Sequence, residues 1–260
     1  MGKGPGAEDR KRWQLYWSQR EKIDEVYSNE DRIIKELLPL VEGRRAEVLE
    51  VGAGSGRDSV ALAEAGATVF VLDYVPSSLA TARRVAEAAG REVLLVCGDA
   101  TMMPLRSGCM DVVFHQGLME HFRDPLPLLH ENRRVLRAGG HLLVDVPQKY
   151  HIYTLVKHVL IRMGKWFAGW ETEYTIGGLE RLIGENGFRV VRSYGDWMVP
   201  GFFYRSLRYV LARSGLALLP KYPSGIGPLR RMGEAARSWA RKRRFAFYTY
   251  HVIGTLARKA

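Results

Sequence analysis

The sequence predicts an α/β fold in which a mostly parallel sheet is covered by helices on both faces. Two observations carry that expectation. Apolar, β-branched runs recur at 46–52, 68–74, 93–99, 110–117 and 140–147, and helical stretches at 57–65, 77–89 and 125–137 separate most of them. Strands alternating with helices of that length build βαβ units, and these make parallel sheets with both faces buried. Ligands of such sheets bind beyond the carboxyl ends of the strands. Those ends are where chemistry is expected.

The remaining elements follow in order. Residues 10–40 read as helical, with Trp13, Tyr16 and Trp17, then Ile33, Ile34, Leu37 and Leu38 at helical spacings, closed by Pro39 and Gly43. After 147 the alternation loosens. Residues 150–168 read as an aromatic-rich helix, 176–186 as another, 188–196 as a strand and 245–259 as a closing strand. The expected division is an N-terminal helical cap (1–44), a core (45–200 and 245–260) with an insertion at 149–175 serving as a lid, and a basic amphipathic helical insertion at 201–244.

A length of 260 residues suits one large α/β domain, or one domain with a small accessory piece. The two cysteines, Cys97 and Cys109, form no CxxC pair, so neither structural zinc nor a disulfide framework is expected. No apolar run reaches the ~18 residues of a membrane span. The first residues lack the apolar core of a secretory signal, and Gly6 stands where a myristoylation signal wants Ser or Thr. A cytoplasmic setting is expected. Net charge is +11, and its location matters more than its size. Residues 201–244 carry eleven Lys/Arg against one acid, Glu234, so the rest of the chain is nearly neutral. Such a segment attracts anions: a membrane surface, a nucleic acid or an acidic substrate.

The first strand runs into VLEVGAGSG, residues 48–56. Gly52, Gly54 and Gly56 make a turn with almost no side-chain bulk, so a ligand can approach the backbone. A dinucleotide fingerprint would need glycine at 57, where Arg57 stands, and an acid, Glu50, precedes the first glycine by two residues. The second strand ends in Asp73, placed where a carboxylate reaches a ribose diol. The third ends in Gly98-Asp99-Ala100 and the fourth in HQGLMEH, residues 115–121.

ExGxGxG, a strand-end Asp, GDA, DVVFxxGxxEH and LRAGGHLLVDVP, in that order over about residues 45–150, resemble class I S-adenosylmethionine (SAM)-dependent methyltransferases, in the branch that includes ubiquinone and menaquinone biosynthesis enzymes. The resemblance implies a Rossmann-like doubly wound sheet, mostly parallel with an antiparallel last strand, in three αβα layers, with helical insertions after strands five and six. It implies SAM as cofactor and S-adenosylhomocysteine as product. Glu50 would sit near the methionine amino group or orient the glycine loop, with Val51, Gly52, Ala53, Gly54 and Gly56 passing close by. Asp73 would accept from the ribose hydroxyls and Tyr74 flank the adenine. Asp99 would accept from the adenine amino group, with Ala100 and Thr101 beside it. His115, Gln116 and Gly117 would line the methionine end, and Tyr16 or Trp17 would close the pocket.

Methyl transfer from a sulfonium needs alignment and exclusion of water, and a base only when the acceptor still carries its proton. The candidate bases are His115 and His121 around the fourth strand end, and Tyr150 and His151 after the fifth; histidine titrates near neutrality. The expected acceptor is small and hydrophobic, lipid-like or acidic. In 151–167, Ile152, Leu155, Val156, Val159, Leu160, Met163, Trp166 and Phe167 fall mostly on one helical stripe. In 201–244, Phe203, Leu207, Val210 and Leu211 share a face with Arg205, Arg208 and Arg213 opposite. Such helices lie in an anionic membrane interface or fold back as a lid with solvated cations. One alternative is an RNA methyltransferase using the basic segment, although HQGL is not built to grip a flipped base amine. Another is a non-catalytic partner protein on the same fold.

Overall fold

The computed structural model describes residues 7–18, 31–52, 54–166, 168–216, 218–223, 227–241 and 243–260. Ala53 and Phe167, both named above, fall outside these residues. The elements are α1 (Ala7–Ser18), α2 (Arg32–Val41), β1 (Glu47–Val51), α3 (Arg57–Glu64), β2 (Thr68–Asp73), α4 (Pro76–Ala88), β3 (Leu94–Cys97), β4 (Met110–Gln116), α5 (Leu126–Val135), β5 (Leu136–Pro147), α6 (Ile152–Arg162), α7 (Ile176–Glu185), β6 (Phe188–Asp196), α8 (Phe202–Ser214), α9 (Gly227–Arg241) and β7 (Val252–Lys259). Short 3₁₀ turns cover Met119–His121 and Arg244–Tyr248.

The seven strands form one sheet in the order β3-β2-β1-β4-β5-β7-β6. β7 alone runs antiparallel, against both neighbours, β5 and β6. The expected mixed three-layer fold is therefore present. Its core lies on both faces, because successive side chains of a strand point to opposite sides. Val48, Val112, Phe114 and Leu143 pack on one face with Ile33 and Leu37 of α2 and Leu62 of α3. Leu49, Val113, Leu142 and Val144 pack on the other with Leu128 of α5 and Leu179 and Ile183 of α7.

One reading of the sequence needs correction. The helical stretch at 10–40 is described as α1 and α2, and residues 19–30 between them lie outside the described residues. The closing strand begins at Val252, because its ladder partners end at Pro147 and Asp196. Just upstream, His251 still accepts from Gln148 N at 3.0 Å and donates to Asp196 O at 2.8 Å, outside the ladder proper. The Arg244–Tyr248 segment instead coils into a 3₁₀ turn that buries Ala246 in the core.

The two insertion helices turn unexpected faces to the protein. α6 buries Thr154 and Lys157 and leaves Ile152, Leu155 and Val159 exposed, with Met163 exposed just past its end. Lys157 bridges Glu171 at 2.6 Å and Glu173 at 3.1 Å, and Trp166 donates to Glu171 at 2.6 Å. α8 has no buried residue. Its Arg205 donates to the Val199 and Pro200 carbonyls, both at 2.8 Å, and its Arg208 to the Leu219 carbonyl at 2.9 Å.

Candidate functional site: an acidic cavity at the carboxyl edge

The strand ends are held level by one further hydrogen bond each. Gly52 N donates to Leu72 O, Gly98 N to Asp73 O and Gly117 N to Asp145 O, at 2.7, 3.1 and 3.0 Å. The loops after β1, β2, β3 and β4 therefore open side by side along the carboxyl edge. They line a cavity of about 660 Å³, a size that suits a small-molecule ligand. Following the sheet order, Asp99 and Ala100 stand at β3, Asp73 and Tyr74 at β2, Glu50, Gly52 and Gly54 at β1, and Gln116 and Gly117 at β4. Tyr16 and Trp17 of α1 line the same cavity, and so do His121, Phe122 and Trp170.

Two glycines are required where they stand. Gly52 and Gly54 have φ of +67° and +54°, which L side chains adopt at a cost. A Cβ on Gly52 would meet Leu118 at 2.7 Å, and one on Gly54 would meet Trp17 at 2.6 Å. Trp17 therefore lies directly on the glycine turn, carried there by α1. That helix is pinned over β2 and α4: Arg10 donates twice to the Tyr74 carbonyl, at 3.1 and 2.8 Å, and Ser77 donates to the Gln14 carbonyl.

The chain is strongly basic, yet this cavity gathers four acids, Glu50, Asp58, Asp73 and Asp99, against Arg57 and Arg123. Asp73 is buried and fixed: Oδ1 accepts from Val75 N at 2.9 Å and Oδ2 from Ser78 Oγ at 2.8 Å. Burial pushes its carboxyl up, and the hydrogen bonds from Ser78 and Val75 oppose that. Each carboxylate oxygen keeps a further lone pair for a ligand hydroxyl. Glu50 accepts from Ser59 Oγ at 2.5 Å. Burial and then the neighbouring Asp58 push its carboxyl up to about 8, with a smaller push from Asp73. A carboxyl held among other acids is a place for a cation. Asp99 Oδ1 accepts from both the backbone and the hydroxyl of Thr101 at 2.8 Å.

Several expected site residues do not face this cavity. The His115 side chain is fully buried, with Nε2 3.2 Å from Asn132 Nδ2 of α5, and burial pushes the imidazole down to about 3. A ring closed off from the cavity and held neutral does not take a substrate proton. His151 caps α6, its Nδ1 accepting from Tyr153 N at 3.1 Å, and meets His251 edge to face. Tyr150 is exposed, and its ring lies against Tyr248 outside the cavity. Val51 is a fully buried core residue, Gly56 packs on Ala82, and Thr101 serves Asp99. Of the four candidate bases, His121 is the one on the cavity wall, its ring 5.1 Å from Trp13, edge to face.

The sequence reading passed over one residue of chemical weight. Glu120 is buried beside Gly117, and its Oε2 has no hydrogen-bond partner among the described residues. Burial, reinforced by Glu171, pushes its carboxyl well above the ordinary range. The signal was an acid next to His121 in the turn after β4, but burial is not written in that spacing.

The cavity fits SAM by the chemistry of its donors and acceptors. A side-chain-free turn leaves room for a ligand, a strand-end carboxylate suits a diol, and clustered acids suit a ligand with two positive groups. The methyltransferase domain family model matches residues 49–144. The chain is similar to a demethylmenaquinone methyltransferase of Thermus thermophilus, 38% identical over 99 residues, which cover 37% of this chain and 45% of that protein. It is also similar to a probable S-adenosylmethionine-dependent methyltransferase of Mycolicibacterium smegmatis, 27% identical over 68% of this chain and 70% of that one. The chain thus spans less than half the length of the first relative. Geranyl diphosphate C-methyltransferase from Streptomyces coelicolor shares the fold, with a TM-score of 0.62 at 13% identity over 99% of this chain and 100% of that chain. The matched domain, the order of the sheet and the donor set agree: residues 49–144 match the methyltransferase domain family, and the chain is similar to SAM-dependent methyltransferases.

Proposed function

We propose that the chain transfers a methyl group from SAM to a small apolar or lipid-like acceptor. The observation that carries this reading is the gradient along the cavity. Acids line it from β3 to β1, and Trp13, Phe122, Ala168 and Trp170 line it around and beyond β4. A cationic cofactor belongs at the first end and an apolar acceptor at the second. The name of the demethylmenaquinone methyltransferase relative supports an acceptor of that class.

In this reading Asp73 accepts from the ribose hydroxyls and Asp99 from the adenine amino group. Tyr74 flanks the adenine, and Glu50 accepts from the methionine ammonium. Gln116 and Gly117 stand at the methionine end, and Trp17 and Tyr16 close the cavity from α1. When bound, SAM supplies an already activated methyl group. The chain aligns acceptor and donor and keeps water out with the aromatic rings of α1 and Trp170. Where the acceptor is a hydroxyl, His121 takes its proton. The division into cap (1–44), core with an insertion (149–175) whose Ala168 and Trp170 border the cavity, and basic insertion (201–244) belongs to the same reading.

The test is incubation with methyl-labelled SAM and a cell extract, followed by solvent partition. The expected result is label in the organic phase, lost in Asp73→Ala. Label confined to the aqueous phase overturns the apolar acceptor. Ribonuclease sensitivity of that label would establish the RNA reading, and SAM binding without any transfer would establish a non-catalytic partner.

A further inference from the structure

The two insertion helices are amphipathic in the reverse sense to a lid. A lid turns its apolar stripe to the pocket and leaves its cations in water. In α8 the apolar stripe points outward: Phe203, Leu207 and Val210 are 77%, 51% and 60% exposed. They are one helical face by their spacing. Arg205 and Arg208, on the opposite face, are half-buried and spend their donors on the carbonyls of Val199, Pro200 and Leu219. Leu216 and Leu218, just past the helix, are exposed as well. In α6 Ile152, Leu155 and Val159, with Met163 just past its end, form a second outward stripe over the buried Lys157. The two helices meet where Tyr153 touches Phe202, ring centroids 6.4 Å apart. A soluble monomer rarely leaves that many large apolar side chains exposed on adjoining helices.

Charge identifies what covers this face. Arg162 and Lys165 follow the α6 stripe, Arg213 flanks the α8 stripe, and Arg231 and Arg243 are exposed on and just after α9. Residues 201–244 hold eleven basic residues and one acid. Two copies of such a face would repel one another, which argues against self-association. A nucleic acid would engage the cations and leave the apolar stripes in water. An anionic lipid surface satisfies both, taking the stripes into its interface and the cations among its headgroups. We infer that α6 and α8, flanked by the arginines of α8 and α9, dock the chain on an anionic phospholipid surface. Trp170 and Ala168, a few residues past α6, line the cavity, so the docked face adjoins its acceptor end. The inference stands independently of the acceptor's identity.

The test is flotation of the full chain with vesicles of phosphatidylcholine alone and of phosphatidylcholine with phosphatidylglycerol. Flotation is expected only with the anionic vesicles, weakening as salt rises. The exposed triple variant Phe203→Ser/Leu207→Ser/Val210→Ser is expected to lower the bound fraction about tenfold or more. Its SAM affinity should stay that of the parent, which shows that the variant is folded. Three results would overturn the inference. One is absence of flotation with anionic vesicles. Another is flotation equal in parent and variant. The last is a parent that self-associates, or binds RNA, without binding vesicles at all.

Discussion

The cavity at the carboxyl edge and the outer face of α6 and α8 obey opposite rules. In the cavity, acids are held inside a basic protein, fixed by short local bonds such as Ser78 to Asp73 and Ser59 to Glu50. On the helices, three cations are turned inward beneath outward apolar side chains, Arg205 and Arg208 gripping carbonyls and Lys157 buried between Glu171 and Glu173. Each region keeps groups where folding alone would not place them. Burying Glu50 among acids disfavours its charged form, and exposing Phe203 forgoes burial. The first arrangement suits a cation, and the second suits the anionic lipid surface inferred above.

The sharpest way to break the comparison is to empty the cavity of its diol acceptor. Asp73→Ala is expected to weaken SAM binding by about 100-fold or more, the loss of two hydrogen bonds to a charged group. Calorimetric titration checks this, and an unchanged affinity would remove Asp73 from the site. Next in size is Lys157. Lys157→Met strands Glu171 and Glu173 without their buried cation and should destabilise the fold by about 3–5 kcal/mol in denaturant titration.

Gly54→Ala sets a Cβ against Trp17 in a left-handed backbone and should cost about 1–2 kcal/mol. It should also displace the indole, which tryptophan fluorescence reads. The acids predict a pH effect. Glu50 rises from its ordinary 4.5 to about 8 in the fold, so its protonated form favours folding. That contribution is complete below about pH 4.5 and is lost as pH rises to about 8. Melting temperature should therefore fall across this window, and Glu50→Gln should flatten the fall. SAM binding should release a proton from Glu50 at pH 7, visible as a buffer dependence of the binding enthalpy that vanishes in the Gln variant.

The smallest contrast lies within α8 itself. Arg205→Ala leaves the Val199 and Pro200 carbonyls without their donor and should cost about 1 kcal/mol. Phe203→Ser touches nothing buried and should stay within about 0.5 kcal/mol of the parent. A larger loss from Phe203→Ser would mean that the stripe packs inward after all.

The sequence by itself determined the sheet and the cavity floor. Alternating β-branched runs and helices fix a parallel sheet, and the glycine turn with strand-end acids places polar groups at its carboxyl edge, because both depend on local periodicity and spacing. It could not decide which titratable groups the cavity sees. His115 and Gln116 are neighbours on one strand, and alternation sends one ring into the packing of α5 and the other side chain to the cavity. Nor could it tell which face of each insertion helix turns inward, since a helical wheel is the same whichever way it is turned. Only the tertiary structure settled that, through distant carbonyls at 199, 200 and 219 that claim the arginines, and through Glu171 and Glu173 that claim Lys157. The direction of an amphipathic helix is set by the partners that meet it, and those partners are brought together only by the fold.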